Sequence, residues 1–356
     1  MTGPILEFDM AAWRANVAHL AALAVPARTM IAVKANAYGH GMLQFARAAL
    51  GAGADSLGVL DIPAALAVRA PDSGISPDVM VFAWLHGQDT DFASAIDADI
   101  DLGVSSMIEL QRIVAAVTTK PASIHLKVDT GLHRNGASPE DWPALVSAAH
   151  DAEDEGKVRI AALWSHLADA SPEDDAAALA EFRAAIAVAA GLRVEPPLLH
   201  LAASSAGIRE PEARFGLVRF GIAAYGLSPF DDVDGRGLGL TPVMTFRAPV
   251  IAVDAGVATI AAGSADGVPP SALGASGHGA WVWLGGSRRE VTAIEVDTLT
   301  VSLGDGAPVA VGDLATLFGA GDAGEPTAEE WAAWAATIGD EIVARASTRA
   351  ERVSRG

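Results

Sequence analysis

Apolar, β-branched runs recur along the chain at TMIAVKA (29–35), SLGVL (56–60), DVMVFAW (78–84), DIDLGV (99–104), SIHLKVD (123–129), VRIAALWSH (158–166), PLLHLAAS (197–204) and GLVRFGI (216–222). Most are separated by Ala-rich stretches with helical spacing, such as GMLQFARAALGAGA (41–54) and SPEDDAAALAEFRAAIAVAAG (171–191). The second opens on Ser171 and Pro172 as cap and first-turn residue, sets Glu173, Asp174 and Asp175 in the first turn, and closes on Gly191. Eight strand candidates alternating with helices predict a (β/α)8 barrel. An open doubly wound sheet is the rival, but it calls for a G-x-G-x-x-G turn after the first strand, and NAYGHG (36–41) is not one.

After Pro229 the texture changes. The Gly- and Asp-rich FDDVDGRGLGLTP (230–242) reads as a linker, and its GRGLG as a turn rather than a phosphate loop, because no strand and helix flank it. Then VMTFRAPVIAV, VATIAAG, GAWVWLGG, REVTAIEVD and LTVSLG read as β segments between Gly and Asp turns, and a helix is expected from about Thr327 to Ala346. The sequence therefore predicts a barrel over residues 1–230 and a mainly β domain with a C-terminal helix over 231–356.

Composition narrows the partners. A net charge of -20 on 356 residues repels phosphate backbones and anionic lipid, so neither nucleic acid nor membrane is an expected partner. No run approaches the roughly 18 to 20 apolar residues of a membrane span, and no leader pattern is visible. A soluble, cytoplasmic protein is expected. The absence of cysteine excludes disulfides, thiol catalysis and thiolate metal sites, and no other residue spacing supports a metal site.

Of the four lysines, Lys34 and Lys127 fall at or near strand ends, where a barrel builds its active face. A lysine in a partly dry mouth has its charged form disfavoured, which makes its amine a nucleophile able to form an imine with an aldehyde cofactor. A lysine snorkelling at the rim satisfies the same position. His40 and His133 read as loop residues, His200 as strand-end packing, and Asp129 as an anchor for its own loop.

The motifs around these residues carry more. AVKANAYGHG (32–41) resembles the cofactor-lysine signature of the alanine racemase family, fold type III pyridoxal-phosphate proteins. LKVDTGLHRNG (126–136) resembles its K-x-D-T-G-x-x-R-x-G, WSHLADA (164–170) its H-[FL]-A, HLAASSAG (200–207) its H-x-A-N-S, and VRFGIAAYGLSP (218–229) its R-x-G-I-x-x-Y-G-x-x-P. The resemblance implies that pyridoxal 5'-phosphate is held as an imine on Lys34, with Tyr38, Ser204 and the amides of Gly221 and Ile222 around its phosphate. It implies Arg219 facing the pyridine nitrogen, His166 beneath the ring orienting Arg219, and Arg134 reaching the phenolic oxygen or the substrate carboxylate. Lys127 corresponds to a lysine that is carbamylated in some members. The resemblance also implies a homodimer in which each β domain covers the partner's barrel mouth, and a small amino acid as substrate.

The likeness breaks in the second half. The family's G-Y-A-D-G, whose tyrosine is the second base, stands here as GSADG (263–267), with Ser264 in the tyrosine's place. The chain holds only two tyrosines, Tyr38 and Tyr225, and both fall in barrel motifs. The family's M-D-Q is VDT (296–298), its T-I-N-Y-E is TIGDE (337–341) with Asp340 at the tyrosine, and the asparagine of H-x-A-N-S is Ala203. Three readings follow: a divergent isomerase or lyase acting at Cα with Lys34 as its single base, a working alanine racemase with a substitute acid such as water held by Ser264 and Asp266, and a non-catalytic cofactor carrier.

Overall fold

The computed structural model describes residues 3–274, 279–304, 308–346 and 349–356. They pack as two compact units interleaved along the sequence. One, the barrel unit, comprises Leu20–Lys34 and Ala49–Gly221; the other, the β unit, comprises Met1–His19, Ala35–Ala48 and Ile222–Gly356. The first strand, β1 (Ile5–Asp9), belongs to the β unit. The eight that follow build the barrel unit: β2 (Arg28–Ala32), β3 (Ser56–Val59), β4 (Met80–Ala83), β5 (Asp101–Val104), β6 (Ala122–Lys127), β7 (Val158–Trp164), β8 (Leu198–His200) and β9 (Leu217–Phe220).

These eight are the eight runs legible in the sequence, and each pairs in parallel with its neighbour in the order β8-β7-β6-β5-β4-β3-β2-β9. The ends meet where Gly216 N–H donates to Leu199 O (3.0 Å) and Arg219 N–H donates to Ala202 O (3.1 Å), closing the barrel. Burial on both faces explains why the runs are continuously apolar rather than alternating. Met30, Phe82, Trp164, Leu198 and Leu217 pack together in the core. The helix Pro172–Gly191 opens as expected, with Ser171 Oγ accepting from Asp174 N–H at 3.1 Å.

In the β unit, strands β10 (Met244–Asp254), β11 (Val257–Ile260), β12 (Trp281–Leu284), β13 (Ser287–Ile294), β14 (Leu299–Ser302), β15 (Leu314–Phe318) and β16 (Glu351–Arg355) join β1 in a sheet ordered β11-β14-β13-β12-β15-β10-β1-β16. Five of them were expected. The chain-terminal strands pair in parallel, Ile5 opposite Glu351, and β1 also runs antiparallel to β10, so residues expected to begin the barrel instead complete the second sheet.

The single helix expected over 327–346 is two, Ala328–Ala335 and Gly339–Arg345. Thr327 and Glu330 form a reciprocal capping box, as their types and spacing favour. Ala336 then turns left-handed (φ 53°) and Thr337 N–H closes the end on Ala332 O at 2.9 Å. No helix among the described residues is long and apolar enough to cross a membrane.

Candidate active site

Four cations gather at the carboxyl ends of the barrel strands. Lys34 lies half-buried two residues beyond β2, Lys127 ends β6, Arg219 is buried within β9, and Arg134 stands on the exposed loop after β6. All four charges push His166, which follows β7, well below the ordinary histidine range, after burial as the larger cause. Lys127 is drawn down to about 7, first by burial and then by Arg134 and Arg219, with Asp129 and Glu109 opposing. Its ammonium donates to Asn135 Oδ1 and sits 4.7 Å from the Trp164 ring, above which Arg219 also lies at 5.2 Å. Asn135 escaped the sequence reading; its place beside Arg134 in the motif is the one signal that could have raised it.

The guanidinium of Arg219 is held by neutral acceptors. It donates to His200 Nδ1 (2.9 Å), His166 Nδ1 (3.0 Å), Ser165 O (2.8 Å) and Leu201 O (2.9 Å). Burial, then Arg134, lower its pKa to about 9, still above neutrality, so the positive charge persists. His200, read from sequence as packing, is thus bonded directly to a site cation. Concentrated positive charge in a chain of net charge -20 is a place for an anion with several oxygens.

Ser204 opens the short helix Ser204–Arg209, and its Oγ accepts from Gly221 N–H at 2.9 Å. An asparagine at 203 would cap that helix; Ala203 makes no side-chain cap, leaving the first-turn amides without that acceptor. Asp129 anchors its own loop, accepting from Gly131 N–H, His133 N–H and His133 Nδ1.

In the β unit, Ala35, Asn36, Ala37 and Tyr38 form a left-handed turn, φ 51°, 54°, 55° and 48°. Such a turn costs roughly 1–2 kcal/mol per residue. Its backbone is compensated by Gly39 N–H to Ala35 O (2.9 Å) and Gly41 N–H to Asn36 O (2.8 Å). His40, fully buried, bonds through Nδ1 to Ala37 O (3.0 Å) and Tyr38 O (2.9 Å); carbonyls only accept, so Nδ1 carries the proton. A Cβ on Gly39 would lie 2.5 Å from Val343 O, which fixes how closely this turn abuts the helix Gly339–Arg345. Burial and then the Asp340 charge raise the Tyr38 hydroxyl above its ordinary range.

Ser264 is exposed on a one-turn helix, Ser264–Asp266. Its N–H donates to Glu295 O (2.8 Å) and that of Ala265 to Val296 O (2.9 Å), so two of the three departures in the second half, GSADG and VDT, lie side by side. Asp266 is buried and occupied: Oδ2 accepts from Gly263 N–H (3.1 Å), and Oδ1 from Arg349 Nε (3.1 Å) and Nη2 (2.9 Å). Among the described residues no group of three or more His, Asp or Glu is placed to hold a metal ion.

Two family models match the chain: alanine racemase, N-terminal domain, over residues 8–229, and alanine racemase, C-terminal domain, over 245–354. An alanine racemase of Salinispora tropica is 42% identical over 98% of this chain and 97% of its own, and one of Frankia casuarinae 40% identical over 97% and 94%. The solved alanine racemase of Streptomyces coelicolor superposes with a TM-score of 0.94 at 39% identity, covering 99% of this chain and 98% of that one. Proteins of this kind depend on pyridoxal 5'-phosphate. With both halves matched in order and the likeness spanning nearly the whole length, the chain belongs to the alanine racemase family.

Proposed function

We propose that this protein acts at Cα of a small amino acid with pyridoxal 5'-phosphate, using Lys34 as its one base, and that two-sided racemisation is impaired. The observation that carries the reading is the second-base position. Ser264 stands there, and Tyr38 and Tyr225, the only tyrosines, are buried at 5% and 0% exposure with hydroxyls pushed above their ordinary range by burial. Neither is presented as a replacement.

The residues present fit the cofactor. Lys34, Arg134 and Arg219 would supply charge for its anionic groups; Ser204 and Gly221, already bonded to each other, would offer a hydroxyl and an amide to its phosphate, and the family resemblance adds Ile222 and Tyr38 to that role. When bound, pyridoxal 5'-phosphate supplies an aldehyde and an electron-withdrawing ring that acidify the Cα–H. Arg219, a donor only, would keep a pyridine nitrogen placed opposite it unprotonated, as an acceptor. Arg134 offers a planar fork to a carboxylate. The Lys34 amine takes and returns the Cα proton on its own face. On the opposite face a serine hydroxyl is too weak an acid to match a phenol of pKa about 10. Lys127, with its amine drawn to about 7, is suited to carbamylation, which would replace its charge beside Arg134.

A working racemase is the second reading, favoured by the full-length likeness to alanine racemases. It needs a substitute acid. Asp266 is a poor holder for one, since its carboxylate is buried and already engaged by Gly263 N–H and Arg349. A carrier without turnover is the third. Exchange of the Cα proton in deuterium oxide, followed separately for D- and L-alanine, separates them: one fast enantiomer supports a single base, two fast enantiomers a racemase, and bound cofactor without exchange a carrier.

A further inference from the structure

Behind Arg219 a chain of hydrogen bonds crosses the barrel interior. Arg219 Nη1 lies 2.9 Å from His200 Nδ1, His200 Nε2 lies 3.0 Å from His125 Nδ1, and His125 Nε2 lies 3.0 Å from Asp101 Oδ2. Both imidazoles are fully buried. Asp101 begins β5 and His200 ends β8, so the chain climbs from the amino to the carboxyl ends of the strands.

These contacts admit one arrangement of protons. Arginine only donates, so His200 Nδ1 is an acceptor and its proton sits on Nε2. That N–H donates to His125 Nδ1, which leaves the His125 proton on Nε2, aimed at the Asp101 carboxylate. Protonating either ring fully would set two N–H groups against each other. The low affinity of His200 for a second proton, caused by burial and then Arg219, agrees with this order. Aromatic walls hold the rings in plane: Phe82 stacks on His125 at 4.3 Å and Trp164 on His200 at 5.5 Å. At the far end burial works to raise the Asp101 carboxyl, but the hydrogen bond and electrostatic pull of His125, then Ser123 and Arg159, hold it below the usual carboxylate range.

We propose that Asp101 and His125 are positioning residues for Arg219: by fixing the tautomer of His200 they hold the guanidinium in one orientation from the opposite end of the barrel. The effect on turnover rests on the functional reading above, in which Arg219 faces the cofactor ring; the proton order does not.

The test is nitrogen-15 NMR of the histidines, and of Arg219 assigned through Arg219→Lys, in the purified full-length protein, repeated for Asp101→Asn and Asp101→Leu. In the parent, His125 and His200 should each show one protonated Nε2 and one unprotonated Nδ1. Asp101→Asn keeps a carbonyl acceptor and should retain both tautomers, the Arg219 resonance and the exchange rate within about threefold. Asp101→Leu leaves the His125 N–H without an acceptor; both rings should lose the single tautomer, Arg219 should shift or broaden, and Cα exchange should fall roughly 5- to 100-fold with KM little changed. A charged or Nδ1–H ring in the parent overturns the proposal, as does Asp101→Leu with unaltered tautomers and Arg219 resonance. If the resonances respond as expected in a protein that neither binds cofactor nor exchanges protons, the positioning stands and the functional reading falls.

Discussion

The barrel unit and the β unit have treated their site residues differently. In the barrel unit the cations are tied into shared structure: Lys127 and Arg219 face one tryptophan, Arg219 bonds two histidines, and each charge alters its neighbours. Changing one leaves buried partners unsatisfied, at about 1–3 kcal/mol each. In the GSADG turn the residues that shape the backbone are kept. A Cβ on Gly263 would lie 2.5 Å from Glu295 O, Gly267 sits at φ 91° with Arg345 O only 2.2 Å from its would-be Cβ, and Asp266 caps the turn. Ser264 between them is exposed and folds nothing. An exposed side chain on a constrained turn is free to change without cost to stability, which is how, on the proposed reading, a second base would be lost there while the barrel cations stay.

The comparison is broken most completely at Lys34. Lys34→Ala should remove the visible absorption of bound cofactor and lower Cα exchange by about 10⁴-fold or more, since nucleophile and base are lost together. A stoichiometric covalent cofactor in that variant, seen by absorbance and intact mass, would place the attachment elsewhere.

Next in size is the other half. The unmodified protein should interconvert L- and D-alanine on the order of 10² to 10⁴ slower than a two-base enzyme. Ser264→Tyr alone should recover little, and the triple change Ser264→Tyr, Val296→Met and Asp340→Tyr should exceed the sum of its parts, because site residues act as a unit. Turnover of about 10² s⁻¹ in the unmodified protein, by polarimetry, would sink the idea of a missing base. Sedimentation belongs to the same question: a stable two-fold dimer is expected, and a monomer across the micromolar range would remove the partner from the site.

A smaller effect is expected at Asp340. Its charge acts on Tyr38, so Asp340→Asn should tighten cofactor binding by about tenfold, a unit charge near a phosphate at the protein surface being worth roughly 1 kcal/mol or more. Fluorescence titration that finds no change would mean that the Asp340 charge is not felt at the phosphate site.

How much of this was legible beforehand follows from where the signal lies. The barrel strands are buried on both faces, so β2 to β9 announce themselves as apolar runs. The terminal strand β16, ERVSR, is exposed and charged as edge strands are, and carries no such signal. β1 is five residues long, and its membership of the second sheet depends on partners some 240 residues away. The break at Ala336 is followed by Thr337, Ile338 and Gly339, weak helix formers whose signal was outweighed by the Ala- and Glu-rich stretches on either side. At the site, residue types and motif order named the cations, but nothing local tied His125 to Asp101 or assigned His200 to Arg219, since those pairings exist only once the barrel closes.

A last test asks how rigidly the turn that follows Lys34 in sequence is held. His40 braces the left-handed turn that follows Lys34, and burial, the largest cause, draws its pKa down to about 3, although its backbone bonds and Arg352 also act on it. Between pH 3 and the ordinary histidine value near 6.5 the unfolded chain binds a proton that the native ring refuses. Its contribution to stability is therefore complete above pH 6.5 and is lost as pH falls toward 3, at about 1.4 kcal/mol per pH unit. His40→Asn keeps a donor for Ala37 O and Tyr38 O but cannot titrate. In urea unfolding from pH 7 to pH 4.5 the parent should lose stability more steeply than His40→Asn, with the two curves converging on the acid side even if the variant is less stable at pH 7. Parallel curves would mean that His40 is protonated in the native state, and that the turn is looser than its hydrogen bonds imply.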